Sequence, residues 1–120
     1  MATFGLEKKT TEELHIITKE VVDKVLAEEH LAVSKIILYG SYARGDADDE
    51  SDIDIMVLCN NTEDDIEKFG REVRRQAWQI GFDHDIVIQT IVKEEDFFQY
   101  WVDVIPFYRN VRDEGVCLYG

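Results

Sequence analysis

Two aspartates at the start of an apolar strand constrain this chain more than any other feature. The run DIDIMVLC opens with Asp52 and Asp54 and continues into residues suited to a buried strand. Strand residues two apart point to the same face, so the two carboxylates lie side by side while Ile53 faces the other way. Unneutralised carboxylates this close raise each other's pKa. The pair therefore indicates either an acidic turn or a site that receives a cation.

The segment before the aspartates favours the cation site. SKIILYG predicts a strand that ends at Gly40, and SYARG predicts a short helix that begins at Ser41. A glycine lets a ligand approach the backbone, and the N–H groups and hydroxyl at a helix start suit a phosphate. Arg44, one turn later, adds positive charge. A phosphate-binding turn followed by paired carboxylates is the layout for a nucleoside triphosphate with Mg²⁺.

A third carboxylate is expected on a neighbouring strand, because metals need further ligands and an attacking hydroxyl needs a proton acceptor. The segment FDHDIVIQTI supplies Asp83 and Asp85, which have the same strand parity. We favour Asp85 because it lies inside the strand pattern, whereas Asp83 lies in the turn. His84 has the opposite parity and is interpreted as structural or exposed. The acids Asp46, Asp48, Asp49 and Glu50 are interpreted as a solvated loop without a catalytic role.

The remaining segments predict a small α/β sandwich. Leu14, Ile17, Val21 and Val25 follow helical spacing after a capping box at Thr10. The predicted elements are a helix over 10–30, strands over 34–40 and 52–59, a helix over 62–81 ending at Gly81, a strand over 83–92, a short helix within 93–105, a helix over 106–115 and an edge strand over 116–120. The residues thus predict the order α, β, β, α, β, α with an edge strand at the end.

Length and charge exclude several classes of protein. A chain of 120 residues predicts one domain, 1–120, with one core. No apolar run reaches bilayer length and the first residues do not resemble a signal peptide, so we expect a cytoplasmic protein. The net charge of −13 repels phosphate backbones and disfavours nucleic acid as a partner.

The motif resembles that of a known family. Gly40-Ser41, ten intervening residues and then Asp52-Ile53-Asp54 match the pattern of the DNA polymerase β-like nucleotidyltransferases. The whole chain is similar to the smallest branch, the minimal nucleotidyltransferase (MNT) domain, and GSYARGDADDESDIDIMV is close to its signature. The ending PFYRNVRDEGVCLYG resembles MNT proteins that work with a helical HEPN partner. The resemblance implies the polymerase β-like fold, a small mixed β-sheet packed with helices.

The resemblance also implies an enzyme and a role for each residue. Gly40 and Ser41 would hold the triphosphate of ATP, and Asp52 and Asp54 would bind two Mg²⁺ ions. Asp85 would complete the metal site and help to activate the acceptor hydroxyl. The reaction would be attack on the α-phosphorus with departure of pyrophosphate.

The acceptor is less well defined than the nucleotide. Only 35 residues follow Asp85, too few for a helical acceptor domain, so we expect a shallow site or one completed by another chain. The aromatics FFQYW, Phe107 and Tyr108 either pack over the sheet or dock a partner or a second copy. By the resemblance, the chain is an antitoxin that transfers AMP to a tyrosine of a HEPN-type toxin. The alternatives are a binding module that neutralises its partner by complex formation, and a small-molecule nucleotidyltransferase with an acceptor pocket completed by a partner.

Overall fold

The computed structural model describes residues 7–120, in which five helices and four strands follow one another along the chain. Their bounds are α1 Thr11–Leu26, β1 Val33–Tyr39, α2 Ser41–Arg44, β2 Ile53–Cys59, α3 Glu63–Asp83, β3 Ile88–Glu94, α4 Glu95–Trp101, α5 Pro106–Glu114 and β4 Val116–Tyr119. The predicted α/β class is confirmed.

The four strands form one mixed sheet in the order β3-β2-β1-β4. β1 pairs antiparallel with both β2 and β4, whereas β2 and β3 run parallel. The predicted last edge strand is confirmed as β4. The parallel pair is joined through α3, as expected for a crossover connection.

Alternation along β2 separates two hydrophobic cores. Ile53 and Ile55 are fully buried among residues of α1 and α3, which confirms their predicted direction away from the aspartates. Met56 and Leu58 point to the opposite face and pack with residues of α4 and α5. The sheet therefore lies between two helical layers.

Local signals fixed several helix ends. The Thr10 side chain accepts from the Glu13 N–H while the Glu13 side chain accepts from the Thr10 N–H, which confirms the capping box. Thr62 caps α3, and Pro106 occupies the first turn of α5.

The predicted end of α3 at Gly81 is wrong. The helix continues to Asp83, and His84 follows it with a φ of −108°. A side chain at position 81 would place its Cβ 2.3 Å from the carbonyl oxygen of Ile86. Gly81 therefore allows the following turn to pack against the helix and does not terminate it.

The C-terminal aromatics are divided between the two predicted roles. Phe98 and Tyr108 are buried against the sheet, whereas Phe97, Tyr100 and Phe107 are exposed. The two buried rings agree with the prediction that the aromatics pack over the sheet. The three exposed rings form an apolar surface on α4 and α5. Among residues 7–120, no helix combines the length and apolarity needed to cross a membrane.

Candidate active site

Three strands bring the predicted site residues to one end of the sheet. Antiparallel pairing places Tyr39, the last residue of β1, opposite Asp54, the second residue of β2. The Ile53 N–H donates to the Val87 carbonyl at 3.0 Å, so β2 and β3 also start side by side. The glycine-serine turn and the aspartate pair are therefore neighbours in space.

Gly40 is required by both its conformation and its surroundings. Its φ of 77° and ψ of −159° lie in a region that residues with a Cβ avoid. A Cβ at this position would lie 2.3 Å from Oδ2 of Asp54. The absence of a side chain thus lets the Asp54 carboxylate lie against the backbone at the start of α2, where Ser41 is the first helical residue.

The aspartate pair carries negative charge at a half-buried position. Burial raises the pKa of Asp54 above its usual value, the nearby charge of Asp52 raises it further, and Arg44 opposes the shift. Burial together with the charge of Asp54 raises the pKa of Tyr39 to about 12. The pair therefore favours an environment that brings positive charge to it.

Arg44 lies on the same side of the pair as Gly40. Its Nε is 3.2 Å from Oδ2 of Asp46, and its Nη1 is 3.6 Å from Oε2 of Glu114. Both contacts are exposed ion pairs, which contribute little to stability and exchange readily with other anions. The predicted role of Arg44 in phosphate binding thus requires only that a phosphate replace surface carboxylates.

Asp85 lies outside the strand in which it was predicted. β3 begins at Ile88, and Asp85 occupies the preceding turn with a φ of 57°. The structure differs because α3 is longer than predicted and leaves a tight turn before the strand. Asp83, the alternative, is the last residue of α3, where its Oδ1 accepts from Nε2 of Gln79 at 3.2 Å. Asp85 is exposed and lines a cavity together with Asp52.

Gln89 is a site residue that the sequence reasoning missed. Parallel pairing places it beside Asp54, and its Nε2 donates to Oδ2 of Asp52 at 2.9 Å. An amide therefore occupies the position on β3 where a third carboxylate was sought. The signal was present in the sequence, since Gln89 interrupts the apolar run IVIQTIV with the same strand parity as Asp85.

Two cavities open beside the aspartate pair. The glycine-side cavity has a volume of about 360 Å³ and is lined by Tyr39, Gly40, Ser41, Arg44, Asp54, Phe107, Asn110, Val111 and Glu114. The tryptophan-side cavity has a volume of about 310 Å³ and is lined by Glu7, Asp49, Glu50, Ser51, Asp52, Trp78, Phe82, Asp85, Ile86 and Val87. Each cavity is thus lined by one aspartate of the pair: Asp54 on the glycine side and Asp52 on the tryptophan side.

The donor set fits a hard divalent cation. Mg²⁺ is commonly held by one or two carboxylates, with waters and substrate phosphates completing its coordination. Asp52 and Asp54 supply such a pair, and the glycine-side cavity gives access to Asp54. Within residues 7–120, no three acidic, histidine or cysteine side chains converge as one metal-binding group. The geometry therefore fits metal held by the aspartate pair with ligands from a substrate.

Comparison with known proteins finds a matching family and named relatives. The model of the polymerase β nucleotidyltransferase family matches residues 20–120. Methanocaldococcus jannaschii has a protein named "Putative protein adenylyltransferase MJ0604" that is 36% identical over 101 residues, which cover 84% of this chain and 93% of that protein. A second protein of the same organism, "Putative protein adenylyltransferase MJ0141", is 32% identical over 76 residues, 63% of this chain and 75% of that protein.

A solved structure shares the fold. The crystal structure of "the toxin-antitoxin with AMP-PNP" matches with a TM-score of 0.51 and 23% identity, over 88% of this chain and 72% of that chain. The family match extends over most of the chain and includes the glycine-serine turn and both aspartates. The chain therefore belongs to the polymerase β nucleotidyltransferase family, and it is a nucleotidyltransferase.

Proposed function

We propose that this chain transfers AMP from ATP to a tyrosine hydroxyl of a HEPN-type toxin and thereby acts as the antitoxin of the pair. The observation that carries the proposal is the approach of Asp54 to Gly40, which places a metal-binding carboxylate against a phosphate-binding turn. Its relatives named as protein adenylyltransferases support a protein acceptor. The fold shared with a toxin–antitoxin structure supports a partner chain.

In this proposal each residue acts on a defined group. The backbone at Gly40 and Ser41 binds the phosphates, and Arg44 supplies positive charge beside them. Two Mg²⁺ ions, when bound at Asp52 and Asp54, would neutralise charge on the phosphates and polarise the α-phosphorus. The acceptor oxygen bonds to that phosphorus, the bond to the pyrophosphate oxygen breaks, and the hydroxyl proton passes to a carboxylate, for which Asp85 is the candidate.

The test is a double variant of the aspartate pair. Asp52→Ala with Asp54→Ala removes both carboxylates, so transfer of label from α-labelled ATP to the partner should fall below detection. Circular dichroism should remain that of a folded protein, because neither side chain belongs to the hydrophobic cores. A control variant, Glu29→Gln, changes one exposed acid far from the motif in the sequence and should retain full transfer.

The same variant separates the second candidate function, a binding module that neutralises its partner by complex formation. The exposed aromatics Phe97, Tyr100 and Phe107 favour this candidate, because they offer an apolar surface independent of the aspartates. If cells that express the partner toxin are still protected by the double variant, neutralisation by binding is supported and the enzymatic antitoxin is rejected. Label transfer to a small molecule only in the presence of the partner would instead support a small-molecule acceptor.

A further inference from the structure

The tryptophan-side cavity has two exposed aromatic side chains that belong to neither hydrophobic core of the described residues 7–120. Trp78 is 59% exposed and Phe82 is 70% exposed. They are four residues apart on α3, so their side chains lie on the same face of the helix. Val87 extends this apolar surface at 40% exposure. Aromatic side chains that remain exposed next to a cavity are typical of a binding surface.

The rim of this cavity is acidic. Five of its lining residues are Asp or Glu, including Asp49, Glu50 and Asp85, and none is Lys or Arg. A cavity lined by charge of one sign attracts ligands of the opposite sign and repels anions. The triphosphate of a nucleotide is therefore disfavoured here, and a cationic ligand is favoured.

The position of the cavity fits the second substrate of the reaction. Asp54 lines the glycine-side cavity and Asp52 lines the tryptophan-side cavity, and the two cavities share no lining residue, so a group in the latter reaches the aspartate pair without occupying the phosphate-binding turn. Displacement at phosphorus requires the attacking and leaving oxygens to lie roughly in line. If the pyrophosphate lies on the Gly40 side, the attacking hydroxyl has to arrive from the other side.

The volume limits what can enter. At about 310 Å³ the cavity is at the small end of the range for ligand sites, which suits one or two side chains of a peptide. A nucleic acid or a second triphosphate would bring negative charge to an acidic rim. Aromatic side chains beside acidic ones suit a peptide that carries an apolar or aromatic residue flanked by Lys or Arg, since Trp78 and Phe82 also offer cation–π contacts.

We propose that the tryptophan-side cavity is the acceptor site and that its ligand is a basic peptide segment of the partner protein with a hydroxyl-bearing side chain. This inference rests on the proposed function and adds the side of entry and the charge of the substrate. Trp78 and Phe82 pack against the acceptor side chain, while Asp49 and Glu50 pair with its basic neighbours. The acceptor oxygen becomes bonded to the α-phosphorus, its proton passes to Asp85, and pyrophosphate leaves on the Gly40 side.

The first experiment measures peptide binding without any transfer. Short fluorescent peptides contain phenylalanine in place of the acceptor tyrosine, flanked by Lys and Arg, by neutral residues, or by Asp and Glu. Fluorescence anisotropy should give about tenfold tighter binding for the basic peptide than for the neutral one, and weaker binding for the acidic peptide. Salt should reduce the difference, because the charges lie at an exposed rim.

Variants of the cavity locate the binding. Trp78→Ala and Phe82→Ala should each weaken binding of the basic peptide by about tenfold, since each removes an aromatic contact. Tyr119→Ala is the matched control, because Tyr119 is 40% exposed on β4 and lines neither cavity, and it should leave binding unchanged. Glu50→Gln should weaken binding and reduce its salt dependence, whereas Glu29→Gln should do neither. Thermal unfolding of each variant verifies that it is folded.

The second experiment uses tyrosine peptides and α-labelled ATP, and it separates the two proposals. Trp78→Ala should raise KM for the basic peptide about tenfold with little change in kcat, as expected when substrate binding is lost. Normal binding of the phenylalanine peptide without label transfer to the tyrosine peptide or the partner would overturn the proposed function and leave the cavity assignment standing. Equal labelling or binding of basic, neutral and acidic peptides, or equal effects of Trp78→Ala and Tyr119→Ala, would overturn the cavity assignment and leave nucleotidyl transfer standing.

Discussion

The glycine-side and tryptophan-side cavities differ in the parts of the chain that line them. The first is formed by a backbone turn at Gly40 and Ser41, with one cation at Arg44 and a wall from α5. The second is formed by side chains from α3, the acidic loop and the turn before β3. A backbone turn binds a group that every nucleotide carries, whereas a side-chain surface can be adapted to one partner. Under the proposed function, the glycine-side cavity would hold the phosphates and the tryptophan-side cavity would make the contacts that are specific to the partner.

The strongest test of this division is a methyl group added on the glycine side. Gly40→Ala places a Cβ 2.3 Å from Oδ2 of Asp54 and imposes strain at a φ of 77°. We expect AMP transfer to fall about a hundredfold, because displacement by about 1 Å is enough for such a loss. Unfolding in urea should show a destabilisation of about 1–3 kcal/mol. Binding of the basic phenylalanine peptide should be retained, since that peptide lies on the other side.

Gly45→Ala is the matched control for this substitution. Gly45 also has a positive φ, of 86°, but an added Cβ would meet no atom within 4 Å. It should therefore cost about 1–2 kcal/mol of stability from strain and leave most of the AMP transfer intact. Equal losses of AMP transfer in the two variants would mean that strain, and not the approach of Asp54 to Gly40, explains the effect.

A smaller effect is expected from the amide that contacts the aspartate pair. Gln89→Ala removes the donor to Asp52, which orients a proposed metal-binding carboxylate. Loss of such a supporting contact typically costs about tenfold in metal affinity or activity. The measurement is the increase in thermal midpoint during titration with Mg²⁺ and a non-hydrolysable ATP analogue. Both the apparent affinity and AMP transfer should decrease.

Gln79→Ala provides the comparison for Gln89. Gln79 donates to Asp83 on α3, so it has the same kind of amide–carboxylate contact away from the aspartate pair. Its loss should not alter the Mg²⁺ titration. An unchanged titration in Gln89→Ala would contradict the role assigned to this residue.

The smallest effect concerns the pH dependence of stability. In the folded protein, burial and Asp52 raise the pKa of Asp54 above its ordinary value of 3.8, so the folded state binds this proton more tightly than the unfolded state. The stabilising contribution is therefore complete below that ordinary value and is lost as pH rises through the raised pKa. At neutral pH in EDTA, the free energy of unfolding of Asp54→Asn should exceed that of the natural protein by on the order of 0.5 kcal/mol. This is the scale for a charge partly screened by solvent.

Urea unfolding between about pH 4 and about pH 8 measures this difference. The gain of Asp54→Asn over the natural protein should shrink towards the acidic end, whereas Glu29→Gln should show no such trend. Addition of Mg²⁺ with the ATP analogue should stabilise the natural protein more than Asp54→Asn. A gain that is constant with pH would show that ionisation of Asp54 is not its cause.

The sequence predicted the fold best where a signal is local. The capping box at Thr10 depends on neighbouring residues and was confirmed, and the helix starts predicted at 62 and 106 agree with the cap at Thr62 and with Pro106 in the first turn of α5. Gly81 misled the prediction of α3 because a glycine that ends a helix and a glycine that permits close packing look alike in a sequence. The carbonyl of Ile86, brought back by the turn, decides between them.

The candidate site shows the same division. The direction of Asp54, opposite to Ile53, followed from alternation along β2. The contact of Gln89 with Asp52 depends on the register between β2 and β3, which no single segment encodes. Asp49 and Glu50 looked like an ordinary solvated loop, and only the packing of α3 beside them forms a cavity with Trp78 and Phe82.

The sequence by itself thus determined the nucleotide chemistry of this protein, because a glycine-serine turn and two aspartates of equal parity are arranged by short-range backbone geometry. The tertiary structure decided what surrounds them. Sheet order brought Gly40 against Asp54, strand register brought Gln89 to Asp52, and the length of α3 set its exposed aromatics beside the acidic loop. These contacts join segments far apart in the chain, and their geometry is fixed only when the whole sheet is assembled.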